Sequence, residues 1–303
     1  MTYSRQYKET VFGAAVDRLH MIVPGTASQA LGATLAAETG EELAAVDYER
    51  FPDGERMASV TVGDDTDRAT VVASTTTDAA YVELLQLQDA VREAGVDKVV
   101  TVLPYMSYGR QERAFEAGQP VSARAVARAV STGTDRVILV DPHEASVADF
   151  FDVPCDVVGA AARLADPLPA DLTDPLFLSP DAGAIGLAES ARDAYGRGAV
   201  DYFEKVRHSG TEVEITPSDA AVEGRDVVVV DDIVATGSTM SESIGVLDDR
   251  AAADVYVTCV HPLFARNART KLERAGVTAI YATDTIERDV TATSVAPVVA
   301  DAL

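Results

Sequence analysis

The sequence predicts an α/β fold in two domains, each with a parallel β-sheet flanked by helices. The first observation is a set of short, nearly continuous apolar runs that are rich in β-branched residues and end in polar or turn residues. Strands that are buried on both faces of a parallel sheet have this composition. The runs are Lys98–Pro104, Arg136–Asp141, Asp226–Asp232 and Asp254–His261.

The second observation is that segments of helical period lie between these runs, with apolar residues recurring every three to four positions. Gly95 and Gly133 stand where a helix C-terminus commonly uses glycine. Strands and helices in alternation predict parallel strands joined by right-handed crossovers. The predicted helices are Tyr81–Gly95, Ser122–Gly133, Ala184–Gly196 and Thr239–Ala253.

The third observation is that this alternation occurs twice, around a proline-rich stretch at 154–175 that suits a passage between domains. We therefore predict a first domain at 21–155, with a C-terminal segment at about 288–303 belonging to it, and a second domain at 156–287. Met21 begins the first predicted strand. Residues 1–20 are interpreted as an N-terminal extension, with no motif that defines its order.

Acidic residues outnumber basic ones by 49 to 25 in this chain of 303 residues, which gives a net charge of −24. A surface this negative repels nucleic acids and anionic membranes, so we expect neither as a partner. No apolar run approaches the roughly 20 residues of a membrane helix, and the N-terminus lacks the pattern of a secretion signal. Cys155 and Cys259 lie far apart without metal-ligand spacing. We expect reduced thiols in a cytoplasmic protein.

The charge also has a consequence for stability. Lysine is scarce, with four lysines against 21 arginines, and an acid-rich, lysine-poor, alanine- and valine-rich chain resembles proteins of salt-loving organisms. The like charges repel each other and destabilise the compact state unless salt screens them. The alternative is an ordinary acidic cytosolic protein.

The clearest functional signal is Val227–Met240, with the sequence VVVVDDIVATGSTM. A buried strand ends in Asp231 and Asp232, and the short loop Ala235–Thr239 then opens a helix. Ligand sites of parallel sheets lie beyond the carboxyl ends of the strands. The loop offers backbone N–H groups, hydroxyls and a helix dipole to a phosphate, and the aspartates can accept hydrogen bonds from two vicinal sugar hydroxyls. The alternative is a plain strand–turn–helix with N-capping Ser and Thr.

This block resembles the motif that binds phosphoribosyl diphosphate (PRPP) in phosphoribosyltransferases and PRPP synthases. Further blocks are similar, in order and spacing, to PRPP synthases, and the likeness runs from about Met21 to the C-terminus. It implies two phosphoribosyltransferase-like domains and an ATP-dependent diphosphotransferase (a kinase) that makes PRPP from ribose 5-phosphate for nucleotide biosynthesis. The blocks are Phe51–Glu55, Pro104–Phe115, Asp141–Asp152, Ser179–Gly183, Glu204–Arg207, His261–Ala268 and Ala282–Ile286.

The resemblance also implies an ATP site. The ring of Phe51 would face the adenine, and the Arg110 guanidinium would fork onto phosphate oxygens. Taken without the other blocks, Pro-Asp-Gly would indicate a β-turn. The implied ATP-binding residues are Phe51, Asp53, Gly54, Glu55, Arg110 and Gln111.

The same resemblance implies a Mg²⁺ site at His143 and Asp181 and a loop for the transferred pyrophosphate at Asp181, Ala182 and Gly183. Magnesium prefers oxygen ligands and keeps several waters, so a water-mediated role for His143 is equally open. A satisfied loop histidine is the alternative.

For the sugar phosphate and the chemistry, the resemblance implies that Lys205 and Arg207 are catalytic, with side chains on one face of a strand. Fixed cations there would stabilise the charge of the transferred group, and the residues after Arg207 would form a closing flap. A solvated strand charge is the alternative for Lys205. The implied ribose 5-phosphate residues are Arg207, Asp231, Asp232, Ala235, Thr236, Gly237, Ser238 and Thr239.

In this family the Phe51–Glu55 loop reaches the ATP site of a neighbouring subunit. The resemblance therefore implies a homo-oligomer that is built from dimers, with tetramers and hexamers both open. Two rival functions are a phosphoribosyltransferase that uses PRPP and a non-catalytic PRPP-synthase-associated regulatory protein. Ala235 stands where transferases have an aspartate that is a proposed base, which argues against the first rival. Retention of Lys205, Arg207, His143 and Asp181 argues against the second.

The charge analysis predicts that folding depends on salt. We expect the free energy of unfolding to rise between about 0.1 M and about 1 M KCl, because the screening length falls from about 10 Å to about 3 Å. Urea unfolding at several KCl concentrations measures this, with sucrose as a neutral-solute control. Full stability and activity in dilute buffer would contradict the prediction.

Overall fold

We describe a computed structural model of the chain. It describes residues 19–63, 65–207, 213–217 and 221–303, with backbone only for 204–207 and 213–217. Residues 1–18 of the expected extension lie outside the described residues. The first strand begins at Leu19, two residues before the predicted start at Met21.

The first sheet has six parallel strands in the order β2-β1-β5-β6-β7-β8. The predicted strand at Lys98–Pro104 is present as Lys98–Leu103 and is buried after its first residue, as a strand covered on both faces requires. The strands are β1 Leu19–Pro24, β2 Glu42–Leu43, β5 Thr66–Val72, β6 Lys98–Leu103, β7 Arg136–Val140 and β8 Cys155–Val158. Helices α1 Gln29–Thr39, α2 Asp78–Glu93 and α3 Ser122–Ser131 connect them.

The second sheet has seven strands in the order β11-β10-β9-β12-β13-β14-β15, and only β10 and β11 pair antiparallel. These strands are β9 Leu176–Ser179, β10 Ala199–Arg207, β11 Val213–Pro217, β12 Asp226–Ile233, β13 Asp254–His261, β14 Ala279–Thr283 and β15 Thr291–Thr293. The helices of this half are α4 Ile185–Tyr195, α5 Ser238–Asp249 and α6 Ala268–Arg274, while the C-terminal helix α7 Ala296–Ala300 packs on α1. The predicted α/β class with two parallel-sheet halves is confirmed.

A hairpin of β3 (Ala45–Arg50) and β4 (Arg56–Thr61) forms a separate two-stranded sheet that the sequence analysis did not predict. It is fastened to the first half by side chains that bond to backbone. The Tyr48 hydroxyl donates to Pro24 O at 2.8 Å. The Gln86 amide of α2 accepts from Ala58 N at 3.1 Å and donates to Arg56 O at 2.8 Å. It thereby satisfies backbone groups of β4 that a neighbouring strand would otherwise pair.

The two predicted helix-terminal glycines have different roles. Gly95 has φ +92°, so it provides the left-handed conformation that a helix C-terminus uses. Gly133 follows the C-cap Thr132 of α3, at the end of the helix as predicted, but it does not have the positive φ that a terminal glycine commonly adopts. A Cβ at Gly133 would lie 2.8 Å from Gln88 Cβ, so this position needs glycine because α2 passes close to it.

Several contacts join the two halves. One hydrophobic cluster contains buried residues of both sheets, among them Ile138 and Val228. Glu287 Oε1 accepts from Ala30 N at 2.7 Å and from Leu31 N at 3.1 Å, and so caps α1, whose own N-cap residue makes no side-chain cap bond.

The segment 288–303, which we assigned to the first domain, contacts both halves, since β15 pairs with β14 while α7 packs on α1. The domain boundaries stay a prediction. In the described part of the chain, no helix combines the length and the apolar character that crossing a bilayer requires.

Candidate active site

A cleft of about 730 Å³ lies between the two halves, at the carboxyl ends of β7, β9 and β12. It brings together His143, Asp181, Gly183, Asp231 and Asp232, which come from three separate sequence blocks that were predicted to act together. Parallel sheets of this kind place ligand sites at this edge. Its lining is completed by Asp141, Pro142, Glu144, Ala145, Ala184, Gly186 and Leu187.

The aspartate pair ends β12. Asp232 N donates to Asp231 Oδ1 at 3.0 Å, and Ile233 N donates to Asp232 Oδ1 at 2.7 Å. Removal from water, together with the neighbouring charge of Asp232, raises the pKa of Asp231 well above its ordinary value. Removal from water would also raise the pKa of Asp232, but hydrogen bonds from His143 and Asp231 outweigh that effect and lower it. The two neighbouring carboxyl groups therefore differ in how readily they ionise.

His143 connects the halves at the cleft. It follows β7 in the first half, and its Nδ1 lies 2.6 Å from Asp232 Oδ2 in the second. This hydrogen bond raises the pKa of His143, although burial acts in the opposite direction. A protonated imidazole would make this a charge-assisted bond to the Asp232 carboxylate. Sequence analysis placed both residues at the site but did not predict that they pair.

A second bridge lies deeper. His261, at the end of β13, is 2% exposed, and its Nε2 lies 3.0 Å from the Asp141 carbonyl of the first half. Because a carbonyl only accepts, Nε2 carries the proton, and burial lowers the pKa of His261 to about 4. Asp141 has a left-handed φ of +36°, and its carboxylate accepts from Ala160 N at 2.5 Å. We infer that His261 holds the loop that carries His143. Sequence analysis matched the block at His261 but missed this role.

The predicted phosphate loop joins β12 to α5. Gly237 has φ +69°, and a Cβ there would lie 3.2 Å from the Ala268 backbone, so only glycine fits. The first turn of α5 has no acidic residue and its N-cap makes no side-chain bond, which leaves N–H donors and the positive end of the dipole for an anion. Of the described residues, the cleft lining includes Asp231 and Asp232 but not Ala235–Thr239, which continue from the same strand end.

The predicted pyrophosphate loop is a short 3₁₀ turn, Ala182–Ala184, that leads into α4. Asp181 caps the turn, since its Oδ1 accepts from Gly183 N at 3.1 Å. The Gly183 amide is therefore engaged within the turn, and an anion that used it would have to displace the Asp181 carboxylate. Gly183 and Ala184 line the cleft, and Ala182 is exposed.

The predicted ATP loop forms the tip of the β3–β4 hairpin. Gly54 N donates to Phe51 O at 2.9 Å, Glu55 N donates to Asp53 Oδ1 at 3.1 Å, and Gly54 has φ +98°. This is the β-turn chemistry that Pro-Asp-Gly indicates by itself. Residues 51–55 do not line the cleft of their own chain. Phe51 is 36% exposed, so its ring is open to solvent.

The two other predicted ATP residues differ in their surroundings. Arg110 lines a small apolar pocket beside the cleft together with His143 and His261. The Gln111 amide is engaged in its own loop, because it donates to Pro120 O at 3.1 Å and accepts from Ser122 Oγ at 2.7 Å. This geometry gives Gln111 a role in shaping the approach to α3.

Lys205 and Arg207 belong to β10, which pairs with β9 up to Tyr202 opposite Ser179. The strand continues five residues beyond that point, past the carboxyl end of β9, and pairs there with β11. Both residues therefore lie on the ligand side of the sheet. Their side chains, and residues 208–212 of the predicted flap, lie outside the described residues, so their roles stay predictions.

The donor set fits a magnesium ion. Mg²⁺ in phosphate-transferring sites is usually held by one or two carboxylates, substrate phosphates and waters. Asp181 and the Asp231–Asp232 pair provide carboxylate oxygens on one cleft wall. In the described ranges no group of three or more His, Cys, Asp or Glu side chains forms a cluster that could hold an ion. A Mg²⁺ ion held by carboxylates here would take its other ligands from phosphate oxygens and water.

Comparisons with known proteins agree with this geometry. Residues 20–133 match the family model for the N-terminal domain of ribose phosphate pyrophosphokinase, and residues 156–296 match the model for the phosphoribosyl transferase domain. Together these models cover most of the chain, and both halves are represented. The match of the first half counts against a phosphoribosyltransferase, for which the second model alone would be sufficient.

Curated relatives match over nearly their full length. A ribose-phosphate pyrophosphokinase of Halobacterium salinarum is 61% identical over 283 residues, which cover 93% of this chain and 100% of the relative. One of Methanopyrus kandleri is 44% identical over 278 residues, covering 90% of this chain and 94% of the relative. The first organism agrees with the salt-adapted composition.

Among solved structures, the phosphoribosylpyrophosphate synthetase of Mycobacterium smegmatis is similar, with a TM-score of 0.78 and 25% identity. The likeness covers 94% of this chain and 97% of that one. The expected pair of phosphoribosyltransferase-like domains is thereby confirmed. The chain belongs to the ribose-phosphate pyrophosphokinase family.

Proposed function

We propose that this chain transfers the diphosphate of Mg·ATP to the anomeric hydroxyl of ribose 5-phosphate, giving PRPP and AMP for nucleotide biosynthesis. The observation that carries the proposal is the single cleft in which His143 of the first half meets Asp181, Asp231 and Asp232 of the second. A reaction between a nucleotide and a sugar phosphate needs two binding surfaces that face each other, and this cleft has walls from both halves.

The sugar phosphate occupies the second half in this proposal. Asp231 and Asp232 accept hydrogen bonds from the two ribose hydroxyls, and Thr236–Thr239 bind the 5-phosphate through backbone N–H groups and hydroxyls. Support comes from the uncapped N-terminus of α5 and from the left-handed Gly237, which together leave the loop amides open to an anion. Arg207 adds a cation to this subsite.

The nucleotide approaches from the other side. Phe51, Asp53, Gly54, Glu55, Arg110 and Gln111 form its site, and Asp181, Ala182 and Gly183 receive the pyrophosphate. Asp181 and His143 bind Mg²⁺ directly or through water. When bound, the ion neutralises charge on the phosphate oxygens and orients them. For His143 to take part, its bond to Asp232 has to be shared with or exchanged for a ligand contact.

In the reaction, the anomeric oxygen attacks the β-phosphorus of ATP, and the bond from that phosphorus to the α–β bridging oxygen breaks as AMP leaves. Lys205 and Arg207 stabilise the negative charge that spreads over the equatorial oxygens. Their place on the extension of β10, next to the strand that precedes Asp181, supports this role. Positioning and electrostatics then account for the rate.

We further propose a cytoplasmic homo-oligomer, built from dimers, in which the Phe51–Glu55 loop completes the ATP site of a neighbour. The loop does not line the cleft of its own chain. The apolar side chains of Tyr48, Phe51 and Met57 are 38%, 36% and 43% exposed on the same hairpin. An exposed apolar surface of this kind suits burial against a second copy.

Product analysis tests the proposed reaction. Incubation with ribose 5-phosphate, Mg²⁺ and ATP in high salt is expected to give AMP and PRPP in equal amounts, because the whole diphosphate moves. Chromatography of nucleotides and a PRPP-dependent coupled assay measure both products. Formation of ADP, or no turnover at any salt concentration, would exclude the proposal.

Replacement of Lys205 tests the catalytic assignment. Lys205→Ala is expected to lower kcat by about a hundredfold to a thousandfold, as loss of one donor to a developing charge does, with smaller changes in KM. Steady-state kinetics measure this. Lys98→Ala, an exposed lysine at the amino end of β6, is the matched control for charge. An unchanged kcat for Lys205→Ala would remove Lys205 from the chemistry.

Mixing of two inactive variants tests the shared site. Asp53→Ala damages the loop that one subunit contributes to the ATP site of its neighbour, and Lys205→Ala damages the catalytic site within its own subunit. In a mixed dimer, the intact loop of the Lys205→Ala subunit completes the site of the Asp53→Ala subunit, so one site is intact. After random subunit exchange, about a quarter of all sites are expected to be intact, and activity should recover to that extent. Exchange is verified by mass spectrometry of the mixed oligomer. Verified exchange without recovered activity would show that each ATP site belongs to one chain.

A further inference from the structure

A lysine of α6, which has no role in the proposed function, contacts the phosphate loop. Lys271 of α6 places its Nζ 2.7 Å from Ser238 Oγ and 3.2 Å from Thr236 O. Both partners belong to the loop between β12 and α5. The residue is one of four lysines in a chain of net charge −24, so cations of this kind are rare in the molecule.

These two bonds orient the loop for an anion. A lysine ammonium has three donors and no acceptor. By donating to Thr236 O, it holds a carbonyl, whose negative end repels phosphate, toward α6. By donating to Ser238 Oγ, it occupies an acceptor position of the hydroxyl and leaves the hydroxyl proton available for a phosphate oxygen. A charged donor also makes these bonds stronger than neutral ones.

The surroundings of Lys271 keep it in this position. Ala265 N donates to Ala235 O at 2.8 Å, and the backbone of Ala268, the first residue of α6, lies against Gly237. The segment that leads into α6 therefore packs directly on the loop. Among the described residues, the Lys271 ammonium bonds to Thr236 and Ser238 and takes part in none of the ion pairs. The positive charge adds to the dipole at the N-terminus of α5.

We propose that Lys271 is a positioning residue for ribose 5-phosphate, which acts through Thr236 and Ser238 to prepare the phosphate loop. The inference rests on the proposed function, since it assigns the sugar phosphate to this loop. It goes beyond that function by adding a residue from α6, outside the loop and the strand that carry the sugar site. The block His261–Ala268 then has a physical purpose, because it positions α6 behind the loop.

Substitution of Lys271 tests the inference through the separation of KM from kcat. Lys271→Met is expected to raise KM for ribose 5-phosphate by about tenfold to a hundredfold, the effect of losing a charge-assisted bond. The KM for ATP and the kcat at saturating sugar phosphate should change less than threefold (about 0.6 kcal/mol). Lys271→Arg should recover most of the affinity. Lys98→Met, which removes an exposed lysine far from the loop, should leave all three constants unchanged.

A double-mutant cycle with Ser238→Ala separates a positioning role from a general charge effect. If Lys271 acts through Ser238, the two KM effects are expected to be non-additive, with the double variant close to the more impaired single variant. Circular dichroism and thermal unfolding in high salt verify that each variant folds. Should Lys271→Met not fold, Lys271→Gln, which keeps a donor without the charge, takes its place in the cycle.

The outcomes distinguish the two levels of the proposal. A wild-type protein that makes no PRPP from ATP and ribose 5-phosphate overturns the proposed function. An active wild type whose folded Lys271 variants keep an unchanged KM for ribose 5-phosphate overturns the role of Lys271 alone. Equal losses in KM for both substrates, or additive effects in the cycle, also overturn it, because they indicate a structural role without specificity for the loop.

Discussion

The structure of the cleft depends on how two adjacent carboxyl groups are placed at the end of one buried strand. Two unit charges about 4 Å apart near a protein surface repel each other by about 4 kcal/mol. Here the surroundings of the two groups differ, because removal from water raises the pKa of Asp231, whereas the hydrogen bond to His143 helps to lower the pKa of Asp232. The two members of the proposed diol clamp therefore differ in how readily they ionise.

The bond between His143 and Asp232 also connects the two halves of the molecule. His143 reaches across to Asp232 at the end of β12, and His261 reaches back to the Asp141 carbonyl, so each half makes a bond to the other at the cleft. Glu287 makes a third contact of this kind, because it accepts hydrogen bonds from the first residues of α1 in the other half. Directional bonds of this kind fix the distance between the two walls more closely than the shared apolar core could alone. A reaction that joins two substrates benefits from such fixed geometry, because misplacement of the reacting groups lowers the rate steeply.

Much of this arrangement could be predicted from the sequence, for a physical reason. A strand buried on both faces must be apolar over its length, so β6, β7, β12 and β13 were predicted to within about two residues. The rule that ligands bind at the carboxyl ends of parallel strands then brought Asp231 and Asp232 to the site. Resemblance added His143 and Asp181, and the cleft contains all four. The β3–β4 hairpin was missed, since exposed residues dominate its strands and leave only a weak apolar pattern.

What could not be predicted depends on contacts between distant parts of the chain. His143 and Asp232 are 89 residues apart, and His261 and Asp141 are 120 apart, so no local pattern announces either pair. Gly133 ends a helix as its position indicates, but the reason that it must be glycine is the neighbouring side chain of Gln88, which is distant in sequence. The amide of Gln111 gave no signal that its own loop would engage it. Lys271 carries no local signal either, because its partners lie 33 and 35 residues earlier in the chain. At about 1 M salt the screening length is about 3 Å, so the acidic surface has little long-range effect on a phosphate, and contacts at hydrogen-bond distance decide its binding. In the proposed function, the loop must therefore present its donors to the phosphate at short range, and Lys271, at 2.7 Å from Ser238 Oγ, has the geometry to hold the loop in that arrangement.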